Sequence, residues 1–348
     1  MSSTHTPSIS AVVSTYNRSA ILRRVLDHLA SQDLPPDQFE VIVADDESPD
    51  DTGAVVADFA ARAPFPVRYI RHKNRSIGYT ENRGIEAARA PIVLLLADDI
   101  FFTPQGLRKH LEIHRTHPEP SVVVLGQVRQ SPDLNQSAFL RTWDPFRFNE
   151  LEELDELPPY RFGAMNLSFK RDFVMKHGMF LEHRGRGGAA CMEDLELGYR
   201  LQPHGMRLLY SKEALALHYH LTTLDNAIIR WYERGLNYAE FRKHAPNPEL
   251  TVYFHVLTFR TFPEYARVLL GPNSFRGAER HLAWHVVRHM GRMITLNRAT
   301  ARWFWRPLFN LAEKHAWVES RLSAKMYRAF LYYHFLRGVK DARRIYGD

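Results

Sequence analysis

Cysteine is almost absent from this sequence. Cys191 is the only cysteine among 348 residues, so the chain cannot form an internal disulfide and offers no set of thiolates for a metal site. This use of cysteine is typical of a reducing compartment. We therefore expect a cytoplasmic protein.

Long hydrophobic runs are also lacking. No stretch approaches the roughly 18 uncharged residues that a membrane span requires, and the opening segment MSSTHTPSIS has neither the basic nor the apolar region of a signal peptide. The residues that are present are 45% hydrophobic and 24% charged, which is typical of ordinary globular proteins. This pattern predicts a chain that is neither embedded in a membrane nor exported by a signal peptide.

Positive charge is concentrated near the end of the chain. Residues 241–348 hold 19 Lys and Arg against 7 Asp and Glu, whereas residues 1–240 hold 27 against 32. Four of the six tryptophans share the basic region: Trp284, Trp303, Trp305 and Trp317. Helices rich in Arg and Trp suit an anionic membrane surface or an acidic partner. Basic helices that only pack on a catalytic domain are an equal alternative, and binding of nucleic acid is a third that we do not expect.

Strand and helix patterns alternate along the first hundred residues. Apolar runs predict strands at 9–14, 39–44, 67–71 and 92–97, and helical spacing predicts helices at 19–31, 53–62 and 78–90. This alternation predicts an α/β fold with a mostly parallel sheet and flanking helices. Residues 224–348 have helical periodicity alone. In open α/β sheets a ligand binds at the carboxyl ends of the strands.

Two pairs of acidic residues follow these strands. Asp45-Asp46 ends the second strand and Asp98-Asp99 the fourth. Carboxylate pairs at one edge of a sheet repel each other unless a cation or a ligand rich in hydrogen-bond donors lies among them. The alternative is that the aspartates are turn residues or helix N-caps.

Several motifs in order resemble those of the family 2 glycosyltransferases, which are inverting, metal-dependent enzymes of the GT-A fold. The motifs are Ser14–Arg18, Val43–Ser48, Asn82–Ile85, Leu96–Asp99, and a block from Asn166 through Glu193–Arg200 to His218. The resemblance covers about residues 8–220. It implies a catalytic domain at 1–223, with a nucleotide-sugar half at about 1–105 and an acceptor half at about 106–223, followed by the basic, aromatic-rich helical region 224–348.

The resemblance also implies which residues bind the donor. Ser14, Tyr16 and Asp46 match positions that hold the base and ribose, and a carboxylate is a sensible acceptor for an imide N–H or a hydroxyl. Asn82 matches an asparagine on a helix in the family, but the preceding Glu81 departs from the basic or small residue that relatives often carry there. We expect Arg75 to compensate for that departure in contacting the diphosphate or base.

Asp98 and Asp99 match the family's DXD-type metal motif, although Ala97 replaces its first acidic residue. By this analogy Asp99 ligates Mg²⁺ or Mn²⁺ and Asp98 contacts the ribose or bridging waters. His218 matches a histidine near the diphosphate or on the metal. Because residues two apart on a strand point the same way, His220 is an alternative.

In the family, an acidic dipeptide at the start of a helix supplies the catalytic base, and Glu193-Asp194 matches that dipeptide here. Asp194 is the expected base and Glu193 a helper or acceptor contact, because inversion needs one carboxylate that takes the proton of the attacking hydroxyl. An acidic first turn that complements the helix dipole is the alternative. The glycine-rich segment 185–190 is interpreted as a mobile loop that closes over the substrates.

An insertion at 127–165 is expected to supply the acceptor surface, with Trp143 either stacking on a sugar ring or filling a hydrophobic gap. The function expected from the resemblance is sugar transfer from a nucleotide sugar, first of all a UDP-sugar, to a glycan or lipid-linked acceptor. A sugar nucleotidyltransferase is an alternative, but Ser14–Arg18 contains no glycine for a triphosphate loop. A binding protein without catalysis is another, which the intact Asp98, Asp99 and Asp194 disfavour. The C-terminal helices are expected to serve acceptor docking, dimerisation or peripheral membrane contact.

Overall fold

The computed structural model divides the chain into two compact units. It describes residues 6–134, 136–143, 148, 151–183, 185, 192–244, 262–270 and 278–347. The first unit contains the described parts of 1–135, 146–184 and 192–220, and the second those of 136–145 and 221–348, together with Gly185. The division near residue 220 lies close to the domain boundary predicted after residue 223, but residues 136–145 fall in the second unit.

The described strands form one sheet in the first unit. They are β1 (Ile9–Thr15), β2 (Phe39–Asp45), β3 (Val67–Arg71), β4 (Ile92–Ala97), β5 (Ile100–Phe102), β6 (Val122–Gln130), β7 (Glu156–Leu157), β8 (Asn166–Lys170) and β9 (Arg207–His218). Their order is β3-β2-β1-β4-β8-β6-β9-β5, and β7 pairs with β9. The pairs among β1 to β4 and the pair β6 with β9 are parallel, whereas β8, β5 and β7 run antiparallel to their neighbours. The predicted α/β fold with a mostly parallel sheet is confirmed, and the four predicted strands agree with the structure to within one residue.

Helices flank this sheet. Those of the first unit are α1 (Ser19–Ala30), α2 (Thr52–Ala60), α3 (Ile77–Ala87), α4 (Gly106–Thr116), α6 (Arg171–Lys176) and α7 (Glu193–Leu201). The predicted helices correspond to α1, α2 and α3. The third ends three residues before the predicted position, because Ala88 adopts an extended conformation and the chain then passes through Ala90 into Pro91, which disfavours helix in the residue before it.

The hydrophobic core fixes the positions of the strands in the sheet. Every residue of β1 and of β2 is buried, as expected for strands covered on both faces. On α1 the buried residues are Leu22, Val25, Leu26 and Leu29, a spacing that places them on one helix face. The residues that follow β1, β2 and β4 are therefore fixed at one edge of a packed sheet.

The second unit is helical in its described part, as predicted. Its helices are α5 (Ala138–Thr142), α8 (Leu224–His244), α9 (Phe262–Leu270), α10 (Ala278–Thr295), α11 (Arg298–Thr300), a π-helical turn (Ala301–Trp305), α12 (Arg306–Ala312), α13 (Ala316–Glu319) and α14 (Ala324–Tyr346). Helices α8 and α14 cross closely at two glycines. A Cβ atom on Gly235 would lie 2.0 Å from the Phe335 carbonyl oxygen, and one on Gly338 would lie 2.1 Å from that of Tyr232. None of the described helices is both long enough and apolar enough to span a bilayer.

Candidate active site

The site begins where β1 and β4 end side by side. Ser14 pairs with Ala97 in the parallel register of these strands, so the next residues along each strand, Thr15 and Asp98, are also neighbours. The Thr15 hydroxyl donates a 2.8 Å hydrogen bond to Asp98 Oδ2. Sheet register thus places the Asp98-Asp99 pair beside the loop after β1.

Two histidines meet Asp99 at this point. Ile100 of β5 pairs with His218 of β9, and the Tyr219 N–H donates a 2.8 Å hydrogen bond to the Asp99 carbonyl. The rings of His218 and His220 lie nearly parallel, with their centroids 5.5 Å apart. His218 Nε2 lies 3.6 Å from Asp99 Oδ1, and His220 Nδ1 lies 3.1 Å from Asp99 Oδ2.

These three side chains could hold a metal ion. One potential ligand atom from each of Asp99, His218 and His220 lies within 4.8 Å of the others. A carboxylate with two imidazoles is a donor set that divalent transition metals accept. The structure therefore brings His218 and His220 together on Asp99, where the sequence had treated them as alternatives.

Arg18 joins the same cluster. Its Nη1 donates hydrogen bonds to Asp98 Oδ1 at 2.9 Å and to Asp99 Oδ2 at 2.7 Å, and its Nη2 lies 3.1 Å from His220 Nδ1. Sequence reasoning named Arg18 only as the end of a motif. The available signal was that it is the one basic residue between β1 and α1, at the edge where the acidic pair was expected.

The surroundings of the two aspartates shift their pKa values in opposite directions. Burial raises the pKa of Asp98, the positive charge of Arg18 opposes this rise, and the negative charge of Asp99 adds to it. Burial would raise the pKa of Asp99 as well, but the adjacent imidazoles of His218 and His220 and the charge of Arg18 lower it overall. Asp99 is therefore the stronger anionic ligand of the pair.

The acidic pair after β2 has two different roles. Asp45 is fully buried and accepts hydrogen bonds from the Ser48 N–H at 2.9 Å, from the Ser48 hydroxyl at 2.5 Å and from the Tyr69 hydroxyl. Asp45 is the last residue of β2, and these hydrogen bonds favour a structural role for its carboxylate over a ligand role. Asp46 is only partly buried and lies beside the loop after β3.

That loop orients the Asp46 carboxylate. The Arg75 N–H donates to Asp46 Oδ1 at 2.8 Å, and the Asn74 amide donates to Asp46 Oδ2 at 3.0 Å. The Arg75 guanidinium carbon lies 4.8 Å from the centre of the Tyr79 ring. Asp46 and Arg75 are thus together, joined through the backbone of Arg75.

Ser14 lies next to a buried carboxyl group, Glu81 of α3. Ser14 Oγ and Glu81 Oε2 are both buried and make no hydrogen bond of good geometry. Burial raises the pKa of Glu81 to about 8, and the charges of Asp194 and Glu193 add to this rise, while the Ser14 hydroxyl opposes it. Tyr16, in contrast, is half exposed at the start of the loop after β1.

The rise in the pKa of Glu81 also indicates which residues lie near it, among them Asp194, the expected base. The charges of Asp194 and Glu193 act on Glu81, so the start of α7 lies near the Ser14 end of β1. Asp194 Oδ1 accepts a 2.8 Å hydrogen bond from the Leu195 N–H, and Glu193 is buried. The acidic N-terminal turn of α7 is therefore close enough to Glu81 for its charges to act on that carboxyl group.

Helix α7 is held in place by Arg200 in its last turn. The Arg200 side chain donates to the carbonyl oxygens of His177, Gly178 and Met179 at 2.6 to 2.9 Å. It also donates to Glu196 one turn earlier at 2.7 Å. These contacts fix the position from which Asp194 projects.

Two predicted site residues, Asn82 and Trp143, have their side chains packed or hydrogen-bonded within the protein. The Asn82 side chain is buried, and it donates to the Phe180 carbonyl at 2.9 Å while accepting from the Phe180 N–H at 2.9 Å. These bonds favour a structural role for Asn82 over a substrate contact. Trp143 lies in the core of the second unit, stacked on Phe139 with ring centroids 5.8 Å apart, which favours the gap-filling alternative. The predicted closing loop at 185–190 lies outside the described residues except for Gly185.

Known proteins are similar to this chain in sequence. The model of "Glycosyl transferase family 2" matches residues 10–178. The validoxylamine A glucosyltransferase of Streptomyces hygroscopicus subsp. limoneus is 31% identical over 236 residues, which cover 60% of this chain and 51% of the relative. The chain thus spans about half the length of that relative.

Two solved structures share the fold. The mannosyltransferase PcManGT from Pyrobaculum calidifontis, in complex with GDP-Man and Mn²⁺, aligns with a TM-score of 0.59 and 18% identity over 97% of this chain and 88% of its own. S. aureus TarS in complex with UDP-GlcNAc aligns with a TM-score of 0.51 and 15% identity over 97% of this chain and 91% of the TarS chain. These likenesses identify the GT-A fold. Over residues 10–178, somewhat less than half of the chain, the sequence is similar to glycosyl transferase family 2, and the relative and the shared fold are consistent with that similarity.

Proposed function

We propose that this protein transfers a sugar from a nucleoside diphosphate sugar to a hydroxyl acceptor, with inversion at the anomeric carbon. The observation that carries the proposal is the cluster of Asp99, His218 and His220, whose potential ligand atoms lie within 4.8 Å of one another at the carboxyl edge of the sheet. A ligand site at this edge is expected for an open α/β sheet.

The donor set of this cluster fits a divalent cation. When bound there, such a cation would stabilise the negative charge of the departing nucleoside diphosphate. Two imidazoles and one carboxylate suit Mn²⁺ better than Mg²⁺, which prefers oxygen ligands throughout. Support also comes from the mannosyltransferase of the same fold, whose complex contains Mn²⁺. Asp98, held by Thr15 at 2.8 Å, is proposed to bind the ribose or a bridging water.

Arg18 is proposed to bind the diphosphate of the donor. It is the cation that neutralises Asp98 and Asp99 in this structure, and its side chain is 30% exposed, so it is accessible from the site. A guanidinium forms paired hydrogen bonds with phosphate oxygens. Once the aspartates have other partners, Arg18 is positioned to make that contact.

The base and ribose of the donor are proposed to lie against Ser14, Tyr16 and Asp46. Asp46 is suited to this role because the Asn74 amide and the Arg75 N–H orient its carboxylate, and a carboxylate can accept hydrogen bonds from an imide N–H or a ribose hydroxyl. We propose a UDP-sugar as the donor. The TarS structure of the same fold contains UDP-GlcNAc, whereas the mannosyltransferase contains GDP-Man, so both bases belong in the test.

Asp194 is proposed as the catalytic base. Its Oδ1 accepts from the Leu195 N–H at 2.8 Å, which orients the carboxylate, and the helix N-terminus favours its anionic form. The proton of the acceptor hydroxyl would move to Asp194 as the bond to the donor breaks, since an aspartate is a much weaker base than an alkoxide. Glu193 is proposed to contact the acceptor, which we propose to be a glycan or a lipid-linked sugar.

A panel of nucleotide sugars tests the donor proposal. The purified protein is incubated with UDP-glucose, UDP-GlcNAc and GDP-mannose in the presence of Mn²⁺ or Mg²⁺, and release of nucleoside diphosphate is measured. We expect release from one UDP-sugar, faster with Mn²⁺. No release and no binding with any donor would contradict the proposal.

Two further measurements test the reaction type. With the active donor and an accepted sugar, NMR of the product linkage should show a β-linkage from an α-linked donor. Retention of the α configuration would contradict inversion. Incubation with nucleoside triphosphate and sugar 1-phosphate should release no pyrophosphate. Release of pyrophosphate would instead assign the protein to the nucleotidyltransferases.

A further inference from the structure

Helix α10 carries large apolar side chains on an exposed face. Trp284, Val287, Met290 and Ile294 follow one another at spacings of three, three and four residues, which places them on one side of a helix. Each of these side chains is between 57% and 73% exposed. Single exposed apolar residues are ordinary, but a contiguous set marks an interaction surface.

This face is not the one by which α10 packs in its own unit. On the other side of the helix, Leu282 and Val286 pack against Tyr265 and Leu269 of α9. His285 lies on that packed side too, with its Nδ1 3.0 Å from the Tyr265 hydroxyl. Packing against α9 therefore leaves the apolar residues of the opposite face in solvent.

The π-helical turn that follows α11 adds two exposed aromatic residues. Trp303 and Phe304 of the π-helical turn are 73% and 57% exposed, and the Arg302 guanidinium lies 4.9 Å from the Trp303 ring centre. The Trp305 indole N–H donates to the Thr295 carbonyl at 3.0 Å, which ties the turn to the end of α10. We call Trp284, Val287, Met290, Ile294, Trp303 and Phe304 the apolar face.

The charge of this segment has one sign. Residues 280–312 contain six arginines and no aspartate or glutamate. Arg288, Arg298 and Arg302 are exposed in the described part of the segment. Arginines beside exposed Trp, Ile and Met are complementary to a surface that combines negative charge with an apolar interior.

We propose that the apolar face binds the surface of an anionic lipid bilayer, with its side chains in the headgroup region and the arginines on the lipid phosphates. Tryptophan favours this interfacial region, and an amphipathic helix binds there through apolar burial together with electrostatic attraction. Val287, Met290 and Ile294 offer neither base-stacking rings nor hydrogen bonds, which favours lipid over nucleic acid. The apolar face identifies which residues would make the membrane contact that the Arg and Trp content suggested. This inference does not depend on the proposed sugar transfer.

Vesicle binding by the full chain tests this inference. The purified protein is sedimented with vesicles of phosphatidylcholine alone and with vesicles that contain phosphatidylglycerol as well. We expect binding to be at least ~10-fold stronger to the anionic vesicles and to weaken with added salt, since electrostatic attraction to the surface is screened. Binding should also shift tryptophan emission to shorter wavelength.

Two variants and a control make the test specific. Trp284→Ser combined with Ile294→Ser should reduce vesicle affinity at least ~10-fold, because two large apolar groups no longer enter the interface. Arg288→Gln should reduce the preference for anionic lipid. Ile345→Ser is the matched control, since Ile345 is 56% exposed on α14, outside the apolar face, and it should bind as the unmodified protein does. Circular dichroism verifies that each variant is folded.

Several outcomes would overturn the inference. Equal binding to neutral and anionic vesicles, or no binding to either, would do so, as would a folded double variant that binds like the control. Self-association in sedimentation velocity that the double variant abolishes would assign the face to a second copy of the chain. RNA binding that is lost in the Arg288 variant but kept in the double variant would assign the arginines to nucleic acid.

Discussion

Replacing Glu81 by glutamine should stabilise the first unit in a pH-dependent way. Glu81 is buried, its Oε2 makes no hydrogen bond of good geometry among the described residues, and burial raises its pKa from 4.5 to about 8. The Ser14 hydroxyl opposes this rise, and the charges of Asp194 and Glu193 add to it. Glutamine keeps nearly the same shape and has no proton to lose. The variant therefore removes the free-energy cost of keeping this carboxyl group away from water near two other carboxylates.

The sign and size follow from proton linkage. A raised pKa means that the folded state binds the proton more tightly, so the contribution of Glu81 to stability is largest below pH 4.5 and is lost as the pH rises toward 8. At pH 7, about 2.5 pH units above the ordinary value, each unit is worth about 1.4 kcal/mol, which gives ~3 kcal/mol. We expect Glu81→Gln to raise the free energy of unfolding by about that amount at pH 7 and by little near pH 4.5.

Urea denaturation at about pH 5, 7 and 8.5 measures this difference. Far-UV circular dichroism reports both units, whereas all six tryptophans belong to the second unit, so tryptophan fluorescence follows the unfolding of the second unit separately. Glu86→Gln on the same helix is the control, because Glu86 is exposed and its replacement should change stability by less than ~0.5 kcal/mol. If Glu81→Gln destabilises the protein at pH 7, or its effect does not grow with pH, the assignment of Glu81 as a protonated buried group is wrong.

Three other changes test the site and the second unit. Asp194→Asn should lower the transfer rate at least ~100-fold while donor affinity stays within about twofold, because the base acts only on the acceptor proton; transfer at the normal rate would exclude Asp194 as the base. Asp99→Asn should weaken Mn²⁺-dependent donor binding at least ~10-fold in calorimetric titrations, since the proposed metal ligand would lose its charge, and unchanged affinity would contradict the proposed cation site. Gly235→Val should destabilise the second unit by ~1–3 kcal/mol through overpacking, because its Cβ would lie 2.0 Å from the Phe335 carbonyl oxygen. Gly291→Ala, where the added Cβ meets no described atom beyond its chain neighbours and its own helix backbone, should instead be neutral or stabilising by up to ~1 kcal/mol. An equal fall in the free energy of unfolding of both variants, followed by tryptophan fluorescence, would contradict the close helix crossing.

Local sequence pattern was sufficient to predict the secondary structure of the first hundred residues. The buried strands β1 and β2 read as apolar runs, and the buried face of α1 reads as apolar residues at helical spacing. These signals are local because burial on a strand or helix repeats with the geometry of the element itself. The position of Asp98-Asp99 at the sheet edge followed from the same pattern, since parallel strands end together.

The roles of individual polar side chains were decided only by the tertiary structure. Asp45 and Asp46 are adjacent and identical in type, yet Ser48 and Tyr69 hydrogen-bond to the carboxylate of Asp45 at the end of β2, while the loop after β3 orients the carboxylate of Asp46. Arg18 reaches Asp98 and Asp99 across about eighty residues of sequence. A hydrogen bond or an ion pair depends on which groups fold to within about 3 Å of each other, and spacing along the chain carries no such distance. The sequence by itself thus determined which elements form and which edge collects the carboxylates, whereas packing decided which side chains each of those carboxylates contacts.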